Sequence, residues 1–148
     1  MDMNMFAKAV NLTPSQTTAQ IQELTREGFL QKVGHGYSLT AKGKNALKIS
    51  TEVSEEAAFH FYASIDKPLG FSAHSIEEFY SQIKQVCSDS LDFHFYREDF
   101  ERWLGDVLHD KELASEASKF KTKGIKGEEL RKALLKIVDA KYGVGELL

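Results

Sequence analysis

Two histidines occur in the same four-residue string, Phe-His-Phe-Tyr, at residues 59–62 and 93–96. Histidine is a common general acid or base and the commonest metal ligand in proteins. A metal site, however, requires three or four converging ligands, and the chain contains neither a His-x-His nor a His-x-x-x-His spacing. We therefore expect no metal site, and we interpret His60 and His94 as buried or half-buried side chains that hydrogen-bond to backbone carbonyls.

A dense set of charged side chains precedes Trp103. Charged residues beside aromatic ones can line a pocket, so one hypothesis is a site for a ligand or a partner. The other hypothesis is a solvated helix N-terminus with ion pairs one turn apart, such as Glu98 with Arg102. We favour the solvated helix. The residues concerned are His94, Arg97, Asp99, Glu101 and Arg102.

Two further features could carry chemistry, and each has a simpler interpretation. Residues 119–126 contain four lysines and no acid. These lysines could bind nucleic-acid phosphates, but we favour solvated side chains in a loop. Cys87 has only Lys84 as a basic neighbour, so we interpret it as a small buried apolar residue rather than a nucleophile.

Composition and motifs exclude several classes of protein. Of the 148 residues, 42% are hydrophobic and 28% are charged, as in ordinary soluble globular domains. The single cysteine excludes a disulfide framework and a cysteine-based zinc finger. No P-loop, dinucleotide fingerprint, Gly-x-Ser-x-Gly or His-Glu-x-x-His motif occurs, so we expect no enzymatic activity, no catalytic residues and no cofactor. Without a secretory signal or a membrane-length apolar run, we expect a cytoplasmic protein.

The net charge of −3 combines two unlike parts of the chain. Residues 1–50 contain six basic and three acidic residues, a net charge of +3. Residues 51–148 contain 13 basic and 19 acidic residues, a net charge of −6. Such an asymmetry indicates a basic binding module joined to a second module. The change of sign and a polar stretch place the domain boundary just after residue 50.

The pattern of residues 1–50 predicts helices and one hairpin. Thr13 and Gln16 form a capping box, which favours the start of a helix, and Gly28 is typical of the position after a helix end. Glycines on both sides of His35, between two β-type runs, indicate a tight hairpin. The predicted elements are helices over residues 3–10, 13–27 and 41–50 and strands over residues 29–33 and 37–40.

Helix, turn, helix, hairpin and helix follow one another in the order of a winged helix-turn-helix domain. Residues 12–18 resemble the turn and the start of the recognition helix of that family. Residues 24–30 resemble the end of that helix and the entry into the wing, and residues 36–43 resemble the second wing strand and its Leu-Thr-x-Lys-Gly entry to the next helix. The resemblance implies that residues 1–50 form a DNA-binding domain with its recognition helix in the major groove.

The resemblance also implies which side chains would touch DNA. Glutamine can pair with adenine through two hydrogen bonds, and serine and threonine can bond to phosphates or base edges. The recognition helix contains no Lys or Arg before Arg26, so phosphate binding would depend on the wing and the residues after it. The implied base-facing residues are Ser15, Gln16, Thr18 and Gln22, and the implied backbone-binding residues are Lys32, His35, Lys42 and Lys44.

Residues 54–143 are predicted to form a second, mainly α domain. Ser75 and Glu78 indicate a capping box at the start of one helix, and Asp110 is a typical N-cap of another. Further predictions are a final helix over residues 128–142, loops at 66–70 and 119–127, a helix break at 88–90, and either a strand or a helical turn at 57–63.

This second half resembles an uncharacterised family of small prokaryotic domains that is common in archaea. The family has no assigned activity, so the resemblance implies a domain and nothing about its chemistry. The matching segments are residues 75–79, 90–94, 99–104 and 113–114.

The expected fold class is α+β: mainly α with a small β-hairpin, formed by an N-terminal winged helix-turn-helix and a mainly helical C-terminal domain. We expect a transcriptional regulator that binds double-stranded DNA as a homodimer, because two modules multiply a weak single-module affinity. The C-terminal domain would oligomerise or sense a protein or small-molecule effector. The alternative is a protein-interaction adaptor whose winged helix does not bind DNA. We expect no membrane partner in either case.

Overall fold

The computed structural model describes residues 12–147. It divides the chain into two compact units between Lys48 and Ile49. We call these the N-terminal unit and the C-terminal unit. The helix expected over residues 3–10 lies outside the described residues. Within residues 12–147, no helix is both long enough and apolar enough to cross a membrane.

The first helix of the N-terminal unit, α1 (Pro14–Arg26), begins at the predicted capping box. The Thr13 hydroxyl accepts a hydrogen bond from the Gln16 N–H at 3.2 Å, and the Gln16 side-chain oxygen accepts one from the Thr13 N–H at 3.0 Å. Two of the otherwise unpaired amides at the helix start are thereby satisfied. The chain leaves the helix through Gly28, whose φ of +88° favours glycine. Both predicted ends of this helix are confirmed.

A hairpin follows, formed by antiparallel strands β1 (Leu30–Val33) and β2 (Gly36–Leu39), and then helix α2 (Ala41–Ser50). The Thr40 hydroxyl accepts a hydrogen bond from the Gly43 N–H at 3.0 Å and so caps α2. A Cβ at Gly43 would lie only 2.1 Å from the Phe29 carbonyl oxygen. The glycine of the Leu-Thr-x-Lys-Gly segment is therefore required by the close approach of α2 to the chain entering β1.

The C-terminal unit contains a second hairpin and a set of helices, so the chain is α+β and mainly α, as predicted. Strands β3 (Phe59–Ser64) and β4 (Lys67–Ala73) are antiparallel and irregular in register. The loop predicted at residues 66–70 is wrong, because β4 already begins at Lys67. The helical elements are a 3₁₀-helix (Glu55–Ala57), α3 (Ile76–Gln85), α4 (Ser88–Tyr96), α5 (Asp99–Arg102), a π-helix (Trp103–Val107), α6 (Lys111–Ser118), α7 (Phe120–Lys123), α8 (Gly127–Tyr142) and α9 (Val144–Leu147).

Three local predictions in this unit need correction. The helix break expected at 88–90 lies instead at residues 86–87, and residues 88–90 form the first turn of α4. The loop expected at 119–127 contains the short helix α7. The capping box at α3 is half formed: the Ser75 hydroxyl accepts from the Glu78 N–H at 3.1 Å, but the Glu78 carboxylate accepts from the His74 N–H at 3.1 Å instead of returning to Ser75.

The core of the C-terminal unit is rich in aromatic side chains. Phe59 on β3 lies 5.1 Å from Phe100 and 5.8 Å from Trp103 between ring centroids. Phe79 on α3 stacks against Trp103 at 5.6 Å. The Trp103 indole N–H donates to the Ala57 carbonyl at 2.8 Å, so its one polar group is satisfied. Burial of these rings joins the second hairpin to the helices.

Candidate functional site

The outer face of α1 carries the four side chains that the winged-helix resemblance assigns to base contacts. Ser15, Gln16 and Gln22 are exposed, and Thr18 is half-buried. The Gln16 side-chain oxygen is already used in the capping box. The Thr18 hydroxyl donates to the Pro14 carbonyl at 3.0 Å. Ser15 and Gln22 therefore present the larger share of the polar surface on this face.

Among residues 12–48, the lysines lie on the hairpin and on α2, and the first turns of α1 contain no basic residue. Lys32 on β1, His35 in the hairpin turn and Lys44 on α2 are exposed. Lys42 is turned onto its own unit, because its Nζ donates to the Glu27 carbonyl at 2.8 Å and lies 4.7 Å from the centre of the Phe29 ring. Arg26, at the end of α1, is ion-paired with Glu23.

A cavity of about 540 Å³ opens in the C-terminal unit between β3, α4, α5 and the π-helix. Its walls combine aromatic rings with charged side chains. Phe59 and Trp103 are buried beneath it, and Phe93 lies beside it. Cavities of this size and mixed character are typical of small-molecule sites. The charged residues and histidines that line it are His60, His94, Arg97, Asp99, Arg102 and Asp106.

His94 fixes one side of this cavity through both of its ring nitrogens. Its Nδ1 lies 2.9 Å from the Asp99 carboxylate, and its Nε2 accepts the Tyr62 N–H at 2.8 Å. Burial lowers the pKa of His94 in spite of the opposing effect of Asp99. The neutral ring that donates from Nδ1 and accepts at Nε2 satisfies both contacts. Because a backbone amide occupies Nε2, His94 resembles an Asp–His dyad in outline but has no nitrogen available to take a proton from a substrate.

Asp99 holds two arginines at the mouth of the cavity. Its second oxygen accepts from Arg102 at 2.5 Å, while the Arg97 Nε lies 3.5 Å from the oxygen shared with His94. The Arg97 guanidinium also lies 4.7 Å from the centre of the Phe93 ring. The two arginine side chains remain 50% and 59% exposed. One carboxylate therefore positions two guanidinium groups that still face solvent.

The backbone around this site departs from regular helix in two places. Glu98, between α4 and α5, has a φ of +68°, a conformation that is costly for a residue with a Cβ. The π-helix, which contributes Trp103, Asp106 and Val107 to the walls, follows directly after α5. Such departures are concentrated at functional sites. Asp99, Arg102 and Asp106, which follow Glu98, line the same cavity.

The structure combines features of both hypotheses for the charged set before Trp103. The ion pair expected between Glu98 and Arg102 does not form, because Glu98 pairs with Lys121 at 2.9 Å and Arg102 pairs with Asp99. The interpretation as a solvated helix N-terminus holds in part, because Asp99 and Arg102 lie in α5 and form an exposed ion pair three residues apart. His94, Arg97, Asp99 and Arg102 line the cavity, whereas Glu101 pairs with Lys121.

The two Phe-His-Phe-Tyr strings occupy different structures. The first lies on β3, where His60 is exposed, so the expectation that it is buried is wrong. The second lies on α4, where His94 is buried as expected, although its partners are a backbone N–H and a carboxylate rather than a carbonyl. Nothing in the repeated string distinguishes the two. Only the charged residues that follow the second string pointed to this site.

The four lysines of residues 119–126 contact neighbouring side chains. The Lys119 and Lys121 ammonium groups pair with acidic side chains, and Lys123 and Lys126 lie near aromatic rings. These lysines therefore contact side chains of their own unit.

Cys87 is exposed at the N-cap of α4, so its expected burial is wrong.

The fold and this cavity define a small α+β protein, mainly α, whose C-terminal unit carries a mixed aromatic and charged site. The chain belongs to a family of unknown function, DUF5752, whose family model matches residues 54–147. The resemblance of this half to an uncharacterised family is confirmed to that extent. The family comparison identifies no winged helix-turn-helix domain. No curated protein and no solved structure matches the chain.

Proposed function

We propose that the protein is a cytoplasmic, homodimeric transcriptional regulator that binds duplex DNA through its N-terminal unit. The observation that carries the proposal is the order of a capped helix, a short hairpin and a second helix, with Lys32 and His35 exposed on the hairpin. In a winged helix, this arrangement lays the helix in the major groove and the hairpin along the phosphate backbone. Ser15 and Gln22 on α1 would then face the base edges.

The positions of the lysines determine which side chains would bind the DNA phosphates. Phosphate neutralisation supplies most of the sequence-independent affinity, and among residues 12–48 the lysines lie on the hairpin and α2. Lys32 and Lys44 are exposed and would supply it, whereas Lys42 would first have to leave the Glu27 carbonyl. A single unit would therefore bind weakly. Two units in a homodimer would multiply that affinity on adjacent half-sites.

Salt-dependent DNA binding by the full-length chain tests this proposal. Fluorescence anisotropy with a random-sequence duplex should show affinity that falls steeply as salt rises. Substitution of Lys32→Ala together with Lys44→Ala should make the log–log salt slope about 2 units shallower, because each lysine–phosphate contact contributes about one counterion. The matched control is Lys132→Ala, which removes an exposed lysine from α8. The absence of duplex binding at low salt would overturn the proposal.

A protein-interaction adaptor is the second candidate, favoured by one observation. Val33 and Leu39, on the two hairpin strands, are 56% and 37% exposed. Exposed apolar side chains favour contact with a protein surface over contact with phosphates. Substitution of Val33→Ser with Leu39→Ser should leave duplex affinity unchanged if DNA is the partner. Loss of association with a partner protein in the same variant, without any duplex binding by the parent chain, would favour the adaptor.

A further inference from the structure

The cavity of the C-terminal unit has a floor that suits a flat apolar group. Its volume of about 540 Å³ lies within the range of ordinary small-molecule sites. The floor consists of Phe59 and Trp103, which are 5% exposed each, and Phe93 stands at one side. Aromatic side chains at the floor of a cavity favour the apolar part of a ligand, because their contact excludes water.

The arginine side of the cavity suits a carboxylate. Arg97 and Arg102 share the single carboxylate of Asp99, which is itself held by the buried His94. A guanidinium has five N–H donors, so both arginines retain donors directed at solvent. Arginine forks match the planar geometry of a carboxylate group. Because Asp99 cannot move without breaking its bond to His94, the two guanidinium groups are held in position before any ligand arrives.

A negatively charged side chain lies about one helical turn from Arg102. Asp106 lines the same cavity, is exposed, and lies four residues after Arg102 along continuous helix. Among residues 12–147, Asp106 forms no ion pair with a basic side chain. The two arginines and the two aspartates of the lining cancel in charge. A simple anion gains little from such a site, whereas a ligand that carries both charges can satisfy both sides.

We infer that this cavity binds a small zwitterion with a flat apolar body, of the chemical class of an aromatic α-amino acid. The ligand carboxylate would bind Arg97 and Arg102, its ammonium group would bind Asp106, and its ring would lie on the aromatic floor. The π-helix and the left-handed conformation of Glu98 place the two arginines and Asp106 around the same cavity. This inference is independent of DNA binding by the N-terminal unit.

The single tryptophan of the chain makes the test direct. Trp103 forms part of the floor of the cavity. Its fluorescence, when tryptophan is excited selectively, therefore reports ligand binding to the cavity in the full-length protein without DNA. Three probes are titrated: L-phenylalanine, 3-phenylpropionate, which lacks the ammonium group, and 2-phenylethylamine, which lacks the carboxylate. We expect L-phenylalanine to change the emission saturably and to bind about tenfold more tightly than either other probe, since each lost charged contact removes about 1.4 kcal/mol.

Substitutions then assign each charge. Arg97→Gln with Arg102→Gln should weaken L-phenylalanine about tenfold or more and leave 2-phenylethylamine unaffected. Asp106→Asn should weaken L-phenylalanine and leave 3-phenylpropionate unaffected. The matched control, Arg26→Gln in the N-terminal unit, should change nothing. Because Arg97, Arg102 and Asp106 are exposed, circular dichroism should show these variants folded.

Three results would overturn the inference. The first is the absence of a saturable response to all three probes. The second is affinity for L-phenylalanine that survives loss of both arginines. The third is equal affinity for L-phenylalanine and 3-phenylpropionate, which would remove the assigned role of Asp106.

Discussion

The two units place their polar chemistry differently. In the N-terminal unit, the side chains assigned to DNA lie on the surface, and among residues 12–48 the buried positions are Thr17, Ile21 and Gly43. In the C-terminal unit, the charged groups are supported from within, because His94 ties Asp99 to the backbone of β3. The first arrangement depends on local sequence, and the second depends on tertiary structure. The two units should therefore respond very differently to loss of a single polar contact.

Loss of Asp110 should give the largest effect, and only in the C-terminal unit. The buried Asp110 carboxylate accepts from Tyr142, from Lys141 at 2.6 Å and from the Leu113 N–H at 3.0 Å. Burial alone would raise the pKa of Asp110, but these hydrogen bonds together lower it. Asp110→Ala leaves buried donors without partners and should cost about 3 kcal/mol of unfolding free energy, measured by chemical denaturation.

The matched control for this substitution is Asp66→Ala, in the exposed turn between β3 and β4. It should change stability by less than about 0.5 kcal/mol. An equal loss of unfolding free energy in both variants would show that the buried hydrogen bonds of Asp110 do not stabilise the C-terminal unit.

The two Phe-His-Phe-Tyr strings provide the next test, because they differ only in what surrounds the histidine. His94→Leu removes the partner of the Tyr62 N–H and one of the partners of the Asp99 carboxylate and should cost about 2 kcal/mol. His60→Leu, on the exposed side of β3, should leave stability nearly unchanged. Denaturation monitored by Trp103 fluorescence measures both. Similar losses in the two variants would contradict the different roles assigned to these histidines.

What could be predicted from the sequence was mainly local. The Thr13 cap, the Gly28 exit from α1 and the Asp110 cap of α6 are short-range hydrogen bonds or backbone preferences, and all three are confirmed. The hairpin β3–β4 was incompletely predicted, because Pro68 and Gly70 are typical turn residues and here lie within an irregular strand. Pairing with β3 overrides that local preference.

The cavity could not be predicted in the same way, because its geometry joins distant parts of the chain. The Tyr62 N–H and His94 are 32 residues apart, and no local pattern encodes their contact. The charged residues before Trp103 marked the region. Which of them line the cavity depends on the left-handed conformation of Glu98 and on the π-helix. Both are consequences of tertiary packing.

A smaller effect is expected in the N-terminal unit. Thr13→Ala removes the hydroxyl that caps α1 and should cost about 1 kcal/mol of helix stability. Ser15→Ala, on the same first turn but without a capping role, is the control. Amide hydrogen exchange of α1 measures the difference. Unchanged protection of the Gln16 amide in Thr13→Ala would contradict the capping role.

The smallest expected effect is a pH response that has opposite signs for two histidines of the C-terminal unit. Hydrogen bonds from the His74 ring to the carboxylates of Glu55 and Glu78, at 2.6 and 3.0 Å, raise the pKa of His74, whereas burial lowers the pKa of His94. The stabilisation from protonated His74 is complete below the unfolded-state pKa of about 6.5 and is lost as the pH rises through the raised folded-state pKa. The contribution of His94 is present above about 6.5 and is lost as the pH falls toward its lowered pKa.

NMR titration of the imidazole protons separates these two contributions. His74 should titrate above a free histidine, and His94 should titrate below it. Glu55→Gln removes the larger cause of the His74 shift and should move the pKa of His74 downward, whereas Glu56→Gln, at the exposed neighbouring position, should not. If the pKa of His74 lies at or below that of His94, the carboxylates of Glu55 and Glu78 do not stabilise a protonated His74. The contrast between the ion-paired His74 and the buried His94 would then be wrong.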